Sequence, residues 1–289
     1  MPADTESIAA PRELAAASAR RCVGQRARWL DLRRDIPRPA YRALAVAGFI
    51  SVLVAWAWIS HRELVDPVFL PSPRAVWEAV RALPGDENLW VDVKASFVRV
   101  TGGFLLAAAI ALPLGIAMGA FRVAEGLLQP LFEFVRYIPV PALVPICMVM
   151  FGIDELSKVV LIWAGTFFQL VLMVADEIRR VPREMLEVSY TLGAGRRQAI
   201  ARVLWCAAKS GIFDALRLCN GWAWTYLVIA ELVAANEGLG YRVLKFSRFL
   251  QTPRIWVYLA ILGLIGLALD LSFRAINRRL FRWADTASH

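Results

Sequence analysis

The sequence is poor in the side chains that most often carry enzyme chemistry. Its two histidines, His61 and His289, lie far apart in the chain, so we predict no histidine-based catalytic dyad or metal site. The four cysteines are scattered without a CxxC pair, and we interpret them as small apolar side chains or free thiols. HExxH, GxSxG and P-loop motifs are absent. We therefore predict that the chain is not an enzyme, binds no cofactor or metal itself and does not hydrolyse ATP.

Charged residues are also scarce, at 20% of the chain, whereas 58% of the residues are hydrophobic. Soluble domains contain about 45–50% apolar residues. A helix that crosses a bilayer needs about 20 predominantly apolar residues. We therefore predict an all-α integral membrane protein with about six transmembrane helices. The predicted spans are residues 43–60, 97–120, 127–151, 156–175, 212–234 and 255–273.

A polar N-terminal segment, residues 1–42, precedes the first span and contains nine arginines but no lysine. Its length, and the full-length span that follows it, argue against a cleaved secretory signal. We predict a cytoplasmic tail, either a solvated extension or a helix near residues 20–34 that lies on anionic lipid. The predicted domains are this tail, a transmembrane domain at residues 43–283 and a C-terminal tail at residues 284–289.

Lysine and arginine are distributed unequally between the predicted loops. With both termini in the cytoplasm, that side holds 21 of the 33 basic residues and the opposite side holds nine. Because short cytoplasmic loops are enriched in Lys and Arg, we predict that both termini are cytoplasmic. The net charge of +9 could indicate binding to nucleic acid or to an anionic membrane surface. The distribution of the basic residues favours the membrane surface. The last outer loop, residues 236–254, is also basic, which indicates an anionic substrate or an acidic partner there.

Two predicted spans contain residues that are unusual for a helix in lipid. The third has four prolines, and broken backbone at membrane depth is covered by protein or lines a cavity. Glu133 and Arg136 in this span either serve a solute path or form a simple ion pair. The fifth span is unusually polar and aromatic, and Glu231 near its end either closes an outer gate or pairs with a cation. The candidate path residues, for each of which a structural role stays open, are Arg136, Tyr137, Asn220, Trp222, Trp224, Thr225 and Glu231.

The segment at residues 182–209 is the one long connection between spans that is both amphipathic and basic. It carries five basic residues, two glutamates near its start, and Gly193 and Gly195 near its middle. Because glycine destabilises a helix, we predict a helix, a tight Gly-Ala-Gly turn and a second helix. The charge distribution predicts that this segment is cytoplasmic, where it is either an ordinary loop or a docking element.

The run E-V-S-Y-T-L-G-A-G at residues 187–195, followed by V-L-W-C at 203–206, resembles the cytoplasmic loop of bacterial ABC-importer permeases. That pattern is E-A-A, three residues, G, nine residues and I-x-L-P. Glu187 and Gly193 match it, Val203 takes the Ile position, and the alanines and Leu-Pro are replaced. The runs F-L-P-S-P, R-Y-I-P-V-P-A-L-V-P, F-G-I, A-E-L and G-L-G-Y strengthen the match over about residues 43–283. Together they resemble the nitrate, sulfonate and taurine branch, which includes bicarbonate and cyanate permeases.

This resemblance implies a type I ABC-importer permease in the bacterial inner membrane that carries a small anionic solute. It also implies a homodimer, two cytoplasmic ATPase subunits that hold ATP and Mg, and a periplasmic binding protein. Residues 187–195 would form the coupling helix that transmits the ATPase motion. These residues are Glu187, Val188, Ser189, Tyr190, Thr191, Leu192, Gly193, Ala194 and Gly195. The alternative function is an ion-coupled secondary transporter or channel.

Overall fold

The computed structural model of the chain describes residues 37–83 and 88–283. All regular structure in these two ranges is helical, which confirms the predicted all-α class. Most of the predicted N-terminal tail, including the alternative surface helix at residues 20–34, lies outside the described residues. The predicted C-terminal tail at residues 284–289 lies outside them as well.

The first helix, α1 (Arg38–His61), belongs to a compact unit that ends at Arg62. Pro39 stands in its first turn, where the fixed φ of proline favours the start of a helix. The helix has 24 residues and includes the first predicted span. At 1.5 Å per residue it is about 36 Å long, which is enough to cross the hydrocarbon core of a bilayer.

The second unit begins at Glu63 and contains the remaining described helices. In chain order these are α2 (Pro73–Ala82), α3 (Leu89–Ala120), α4 (Arg122–Val135), α5 (Val140–Phe151), α6 (Glu155–Arg179), α7 (Arg183–Thr191), α8 (Arg196–Gln198), a π-helix (Ala199–Leu204), α9 (Trp205–Ala234), α10 (Leu239–Arg248) and α11 (Thr252–Leu280).

Fewer helices satisfy the requirements for a membrane span than the six that the sequence predicts. Among the described residues, α1, α3, α6 and α11 are long and apolar enough, and the bent pair of α4 and α5 makes a fifth if it counts as one span. Helix α9 contains the fifth predicted span and has 30 residues, but it is not among them. Its charged side chains, including Asp214, Arg217 and Glu231, reduce its apolar character.

Helices α3 and α6 form the most extensive helix pair and the centre of the core. A Cβ atom at Gly103 would lie 2.8 Å from the Ile162 Cβ, and one at Gly115 would lie 2.6 Å from the Val174 Cβ. Distances this short are not tolerated between side-chain carbons, so only glycine allows the two backbones to approach as they do. Fully buried Ala111 lies on the same face of α3. Glycines of the second predicted span thus allow α3 to pack closely on α6.

Helices α9 and α11 pack together and run in opposite directions. Lys209, near the start of α9, lies 5.7 Å from the centre of the Phe281 ring just beyond the end of α11. Further along, the Arg217 guanidinium donates to Asp270 of α11 at 2.9 Å. The α7–α8 region and the α10–α11 connection therefore lie at opposite ends of the helix bundle.

The predicted third span is two helices rather than one. Residues 136–139 separate α4 from α5, and the two helix axes differ in direction by 96°. Pro139 precedes α5 directly, whereas Pro130 and Pro145 lie inside α4 and α5. The predicted break is confirmed, but it is confined to four residues, because an internal proline removes one backbone hydrogen bond without ending these helices.

The helix predicted after the Gly-Ala-Gly turn is present, which confirms the predicted order of helix, turn and helix in the segment at residues 182–209. After the turn, the chain continues through α8, the π-helix and α9 as one helical run. This run contains no proline that would interrupt it. The fifth predicted span is therefore continuous with the helix that follows Gly195.

Candidate functional site

The predicted coupling residues lie on α7 and in the turn after it. Gly193 has a φ of +80°, a backbone conformation that favours glycine. Its N–H donates to the Tyr190 carbonyl at 2.9 Å, and the Ala194 N–H donates to the Ser189 carbonyl at 3.0 Å. These two bonds satisfy carbonyls at the end of α7. The tight turn predicted from the Gly-Ala-Gly run is confirmed.

One face of α7 presents apolar side chains to the surroundings. Met185, Val188 and Leu192 follow one another at helical spacing and are 46%, 57% and 82% exposed. They line a groove of about 750 Å³ whose other wall includes Val203 and Trp283. Ser189, which is buried, lies at the base of the same groove. An exposed apolar groove of this size is a candidate interaction surface.

A cavity of about 420 Å³ lies at the break between α4 and α5. It brings together Arg136 and Tyr137 from the third predicted span and Trp222 from the fifth. The Arg136 guanidinium donates to the Tyr137 hydroxyl at 3.1 Å and to the Gln169 amide oxygen at 3.5 Å. It also lies 5.0 Å from the centre of the Tyr137 ring, which is within range of a cation–π contact.

The ion pair that spacing allowed between Glu133 and Arg136 is not formed. Glu133 instead accepts a hydrogen bond from the Gln129 amide at 2.8 Å. Within residues 37–83 and 88–283, no carboxylate lies within ion-pair distance of Arg136. Arg136 thus brings an uncompensated positive charge to a cavity whose other polar walls are neutral.

The remaining predicted path residues do not line this cavity. Trp224 is buried and its ring lies 6.4 Å from that of Phe97. Asn220 is also buried, and Thr225 is exposed outside the cavity. Glu231 is completely buried and belongs to a different cluster of charged side chains.

That cluster is centred on Arg99 of α3, whose side chain is only 2% exposed. Its guanidinium binds Glu155 of α6 through two hydrogen bonds, of 2.5 and 2.8 Å. It also donates to Glu231 of α9 and to the Glu237 carbonyl, both at 2.7 Å. Of the alternatives for Glu231, the pair with a cation is the one that the structure shows.

The same cluster fixes the connection between α9 and α10. Asp92 accepts hydrogen bonds from the Gly238 N–H at 2.8 Å and from Arg242 at 2.5 Å. Ser96 donates to Glu231 at 2.8 Å and accepts from the Leu239 N–H at 2.9 Å. Because the partners come from α3, α6, α9 and α10, these bonds lock four elements together at one end of the bundle.

The sequence interpretation missed this cluster. A signal for it exists, because Asp92, Ser96 and Arg99 follow one another at i, i+4 and i+7 and so share one face of a helix. Their partners lie between 56 and 150 residues away in the chain. Only the packing of the helices shows that the partners meet.

Comparison with known proteins decides which family this architecture represents. Residues 111–282 match the family model "Binding-protein-dependent transport system inner membrane component". The chain belongs to this family. Membership supports the permease resemblance and sets aside the ion-coupled alternative.

Relatives of this inner membrane component include named transport permeases. The taurine transport system permease protein TauC of Escherichia coli is 32% identical over 83% of this chain and 89% of that protein. The putative aliphatic sulfonates transport permease protein SsuC of Bacillus subtilis is 31% identical over 81% and 85% of the two chains. In the inward-facing MetNI methionine ABC transporter, a chain of 19% identity aligns with a TM-score of 0.61, over 68% of this chain and 97% of that one. The type I importer fold is therefore confirmed.

Proposed function

We propose that the chain forms the translocation path of an ATP-driven importer for a small anionic solute, in the class of taurine, sulfonates, nitrate or bicarbonate. Its relatives include permeases named for taurine and aliphatic sulfonates. The choice of an anion rests on Arg136, which lines the cavity at the broken span. Among the described residues, no carboxylate pairs with this cation.

The dimensions and chemistry of the cavity suit such a solute. At about 420 Å³ it is in the range of small-molecule sites, which are about 300–1,000 Å³. The planar guanidinium of Arg136 can donate two parallel hydrogen bonds to a sulfonate or carboxylate group. Gln169, Trp222 and Tyr226 add neutral polar groups to its walls, and these can donate hydrogen bonds that orient the solute.

The connectivity links the cavity to the coupling element. Gln169 lies on α6, which leads into α7 through residues 180–182, and Trp222 lies on α9, which continues the helical run after the turn. A displacement of α7 therefore acts on two cavity-lining helices at once. In this proposal α7 sits in a cleft of the ATPase, and closure of the ATPase dimer on ATP moves it as a lever.

The assembly that this function needs comprises two copies of the permease, two cytoplasmic ATPase subunits holding ATP and Mg, and a periplasmic binding protein. The proposed orientation in the bacterial inner membrane has both termini in the cytoplasm, as the Lys and Arg distribution predicts. The apolar groove on α7 then faces the ATPase, and the α10–α11 end faces the periplasm.

The anion hypothesis is tested by uptake in proteoliposomes that contain the complete transporter. Arg136→Gln should lower taurine or sulfonate uptake at least about tenfold, because a charge-assisted hydrogen bond contributes about 1.5–3 kcal/mol. The matched control is Arg248→Gln, which removes an exposed arginine outside the cavity. If Arg136→Gln transports every tested anion as fast as the control while its elution profile is unchanged, the anion assignment is wrong.

The coupling hypothesis is tested by co-purification of the ATPase. Full burial of a leucine contributes about 1.5–3 kcal/mol, so Leu192→Ser should weaken ATPase binding about tenfold or more. Glu187→Arg should weaken it through charge. Val123→Ser is the control, since Val123 is 85% exposed but lies on α4. Equal ATPase retention by Leu192→Ser and Val123→Ser would refute the docking role of this groove.

A further inference from the structure

A second cavity, of about 500 Å³, lies between α2, α10 and α11, at the end of the bundle opposite α7. Its walls carry three cationic side chains, Arg242, Lys245 and Arg254, and none of the described residues that line it is acidic. We propose that this cavity binds a small oxyanion, such as a phosphate, sulfate or sulfonate group. It shares no lining residue with the Arg136 cavity, so the inference does not rest on the proposed function.

Two of the cations are held in place by the fold. Arg242 donates to Asp92 at 2.5 Å, and Asp92 is itself fixed by the Gly238 N–H. The Arg254 guanidinium lies 5.5 Å from the centre of the Phe246 ring. Phe246 is buried and packs edge-on against Tyr258, with 5.2 Å between the ring centres. Cations positioned in this way lose little freedom when they bind a ligand.

Lys245 and Arg254 are both exposed, and among the described residues neither has a carboxylate within ion-pair distance, whereas Arg242 is paired with Asp92. Counting only residues that the structure describes, Asp92 offsets one of the three cations, and the side chains around the cavity have a net charge of +2. The Gln251 amide adds a neutral donor at the wall. Such a surface repels metal cations and offers several donors to one group with two or more negatively charged oxygens.

This site accounts for the basic outer loop, which the transport path leaves unexplained. The concave shape fits a small group better than the flat surface of an acidic protein. The oxyanion can come from a soluble ion or from a lipid headgroup, because α11 is itself long and apolar enough to cross a membrane and Arg254 lies in its first turn.

Sulfate binding to the full chain tests the inference. The parent is Arg136→Gln in lipid-free detergent, so that the other anion site does not contribute. Radiolabelled inorganic sulfate should show one saturable site by equilibrium dialysis. Adding both Lys245→Gln and Arg254→Gln should raise the Kd for sulfate at least about tenfold. Adding Arg248→Gln instead should leave this Kd unchanged. The thermal unfolding midpoint without sulfate should be the same in all variants, which shows that they fold.

The source of the oxyanion follows from the same assay in nanodiscs. If phosphatidylglycerol in place of phosphatidylcholine lowers sulfate binding, the site takes a lipid headgroup; if it does not, the site takes a soluble ion. Sulfate binding in detergent that is absent from the parent, or equal in the parent and the Lys245/Arg254 variant, overturns the inference. The inference is also overturned if the Lys245/Arg254 variant keeps its affinity for sulfate but loses its affinity for a binding protein. That result would identify the cavity as a protein-docking surface.

Discussion

Replacement of Arg99 by methionine should be among the most damaging single changes in the described part of the chain. Arg99 is 2% exposed, and Glu231, which it contacts at 2.7 Å, is completely buried. Methionine is unbranched and fills much of the same space, so the effect is mainly the loss of charge and of hydrogen bonds. Glu231 would retain the Ser96 hydroxyl and the Gly240 N–H, each at 2.8 Å, but no cation.

Loss of one partner from a buried ion pair costs about 3–5 kcal/mol, because the other charge stays buried without compensation. For a chain of this size, 1 kcal/mol corresponds to about 2–4 °C in the unfolding midpoint, so Arg99→Met should lower it by about 6–20 °C. In the double variant Arg99→Met/Glu231→Met, no buried charge is left unpaired between these positions. Its loss of stability should therefore be smaller than the sum of the two single losses by at least about 1 kcal/mol.

The assay is thermal unfolding in detergent, followed by size-exclusion elution of the folded fraction. Arg248→Met is the control, since Arg248 is exposed and surface substitutions usually change stability by less than about 0.5 kcal/mol. Two results would refute the reasoning: a shift of Arg99→Met no larger than that of the control, or strictly additive effects of the Arg99 and Glu231 substitutions. Either result would mean that this cluster does not hold the α3, α6 and α9 ends together.

Two further predictions use pairs of glycines. Gly115→Leu should prevent α3 from approaching α6 at Val174 and lower the yield of folded protein severalfold. The control Gly263→Leu should not lower the yield, because a Cβ at Gly263 would meet nothing within 4 Å. Fluorescence-detected size exclusion measures the yield of both variants. Gly193→Ala places a side chain at a φ of +80°, which costs about 1–2 kcal/mol of stability in the turn. The rate of amide hydrogen exchange in α7 should therefore rise about fivefold or more. Gly195→Ala, at a φ of −74°, should leave this rate unchanged.

Long apolar runs allowed much of the fold to be predicted. The spans at residues 97–120 and 255–273 correspond to α3 (Leu89–Ala120) and α11 (Thr252–Leu280), both longer than predicted. The extra turns contain charged residues such as Asp92, Lys94 and Arg278, which lower the hydropathy there, although the backbone continues its hydrogen bonds. The helix after Gly195 likewise continues into the fifth predicted span, because a change from polar to apolar residues does not interrupt a helix.

The candidate site was predictable only in part. Prolines indicated the break that carries Arg136 and Tyr137, and the polar character of the fifth span indicated Trp222. Trp222 points away from the core and Trp224 points into it, because helical residues two positions apart differ in direction by about 200°. Which of them faces a cavity depends on the position of α6, and no local pattern reports that position.

The sequence by itself determined the membrane character, the approximate spans, the turn at Gly193 and the resemblance to importer permeases, because each follows from residues close together in the chain. Only the tertiary structure decided which charges pair. It left Arg136 without a carboxylate among the described residues, joined Glu231 to Arg99 across 132 residues, and gathered Arg242, Lys245 and Arg254 around one cavity. The physical reason is that electrostatic interactions depend on distance in space, which is set by how closely α3, α6 and α9 pack.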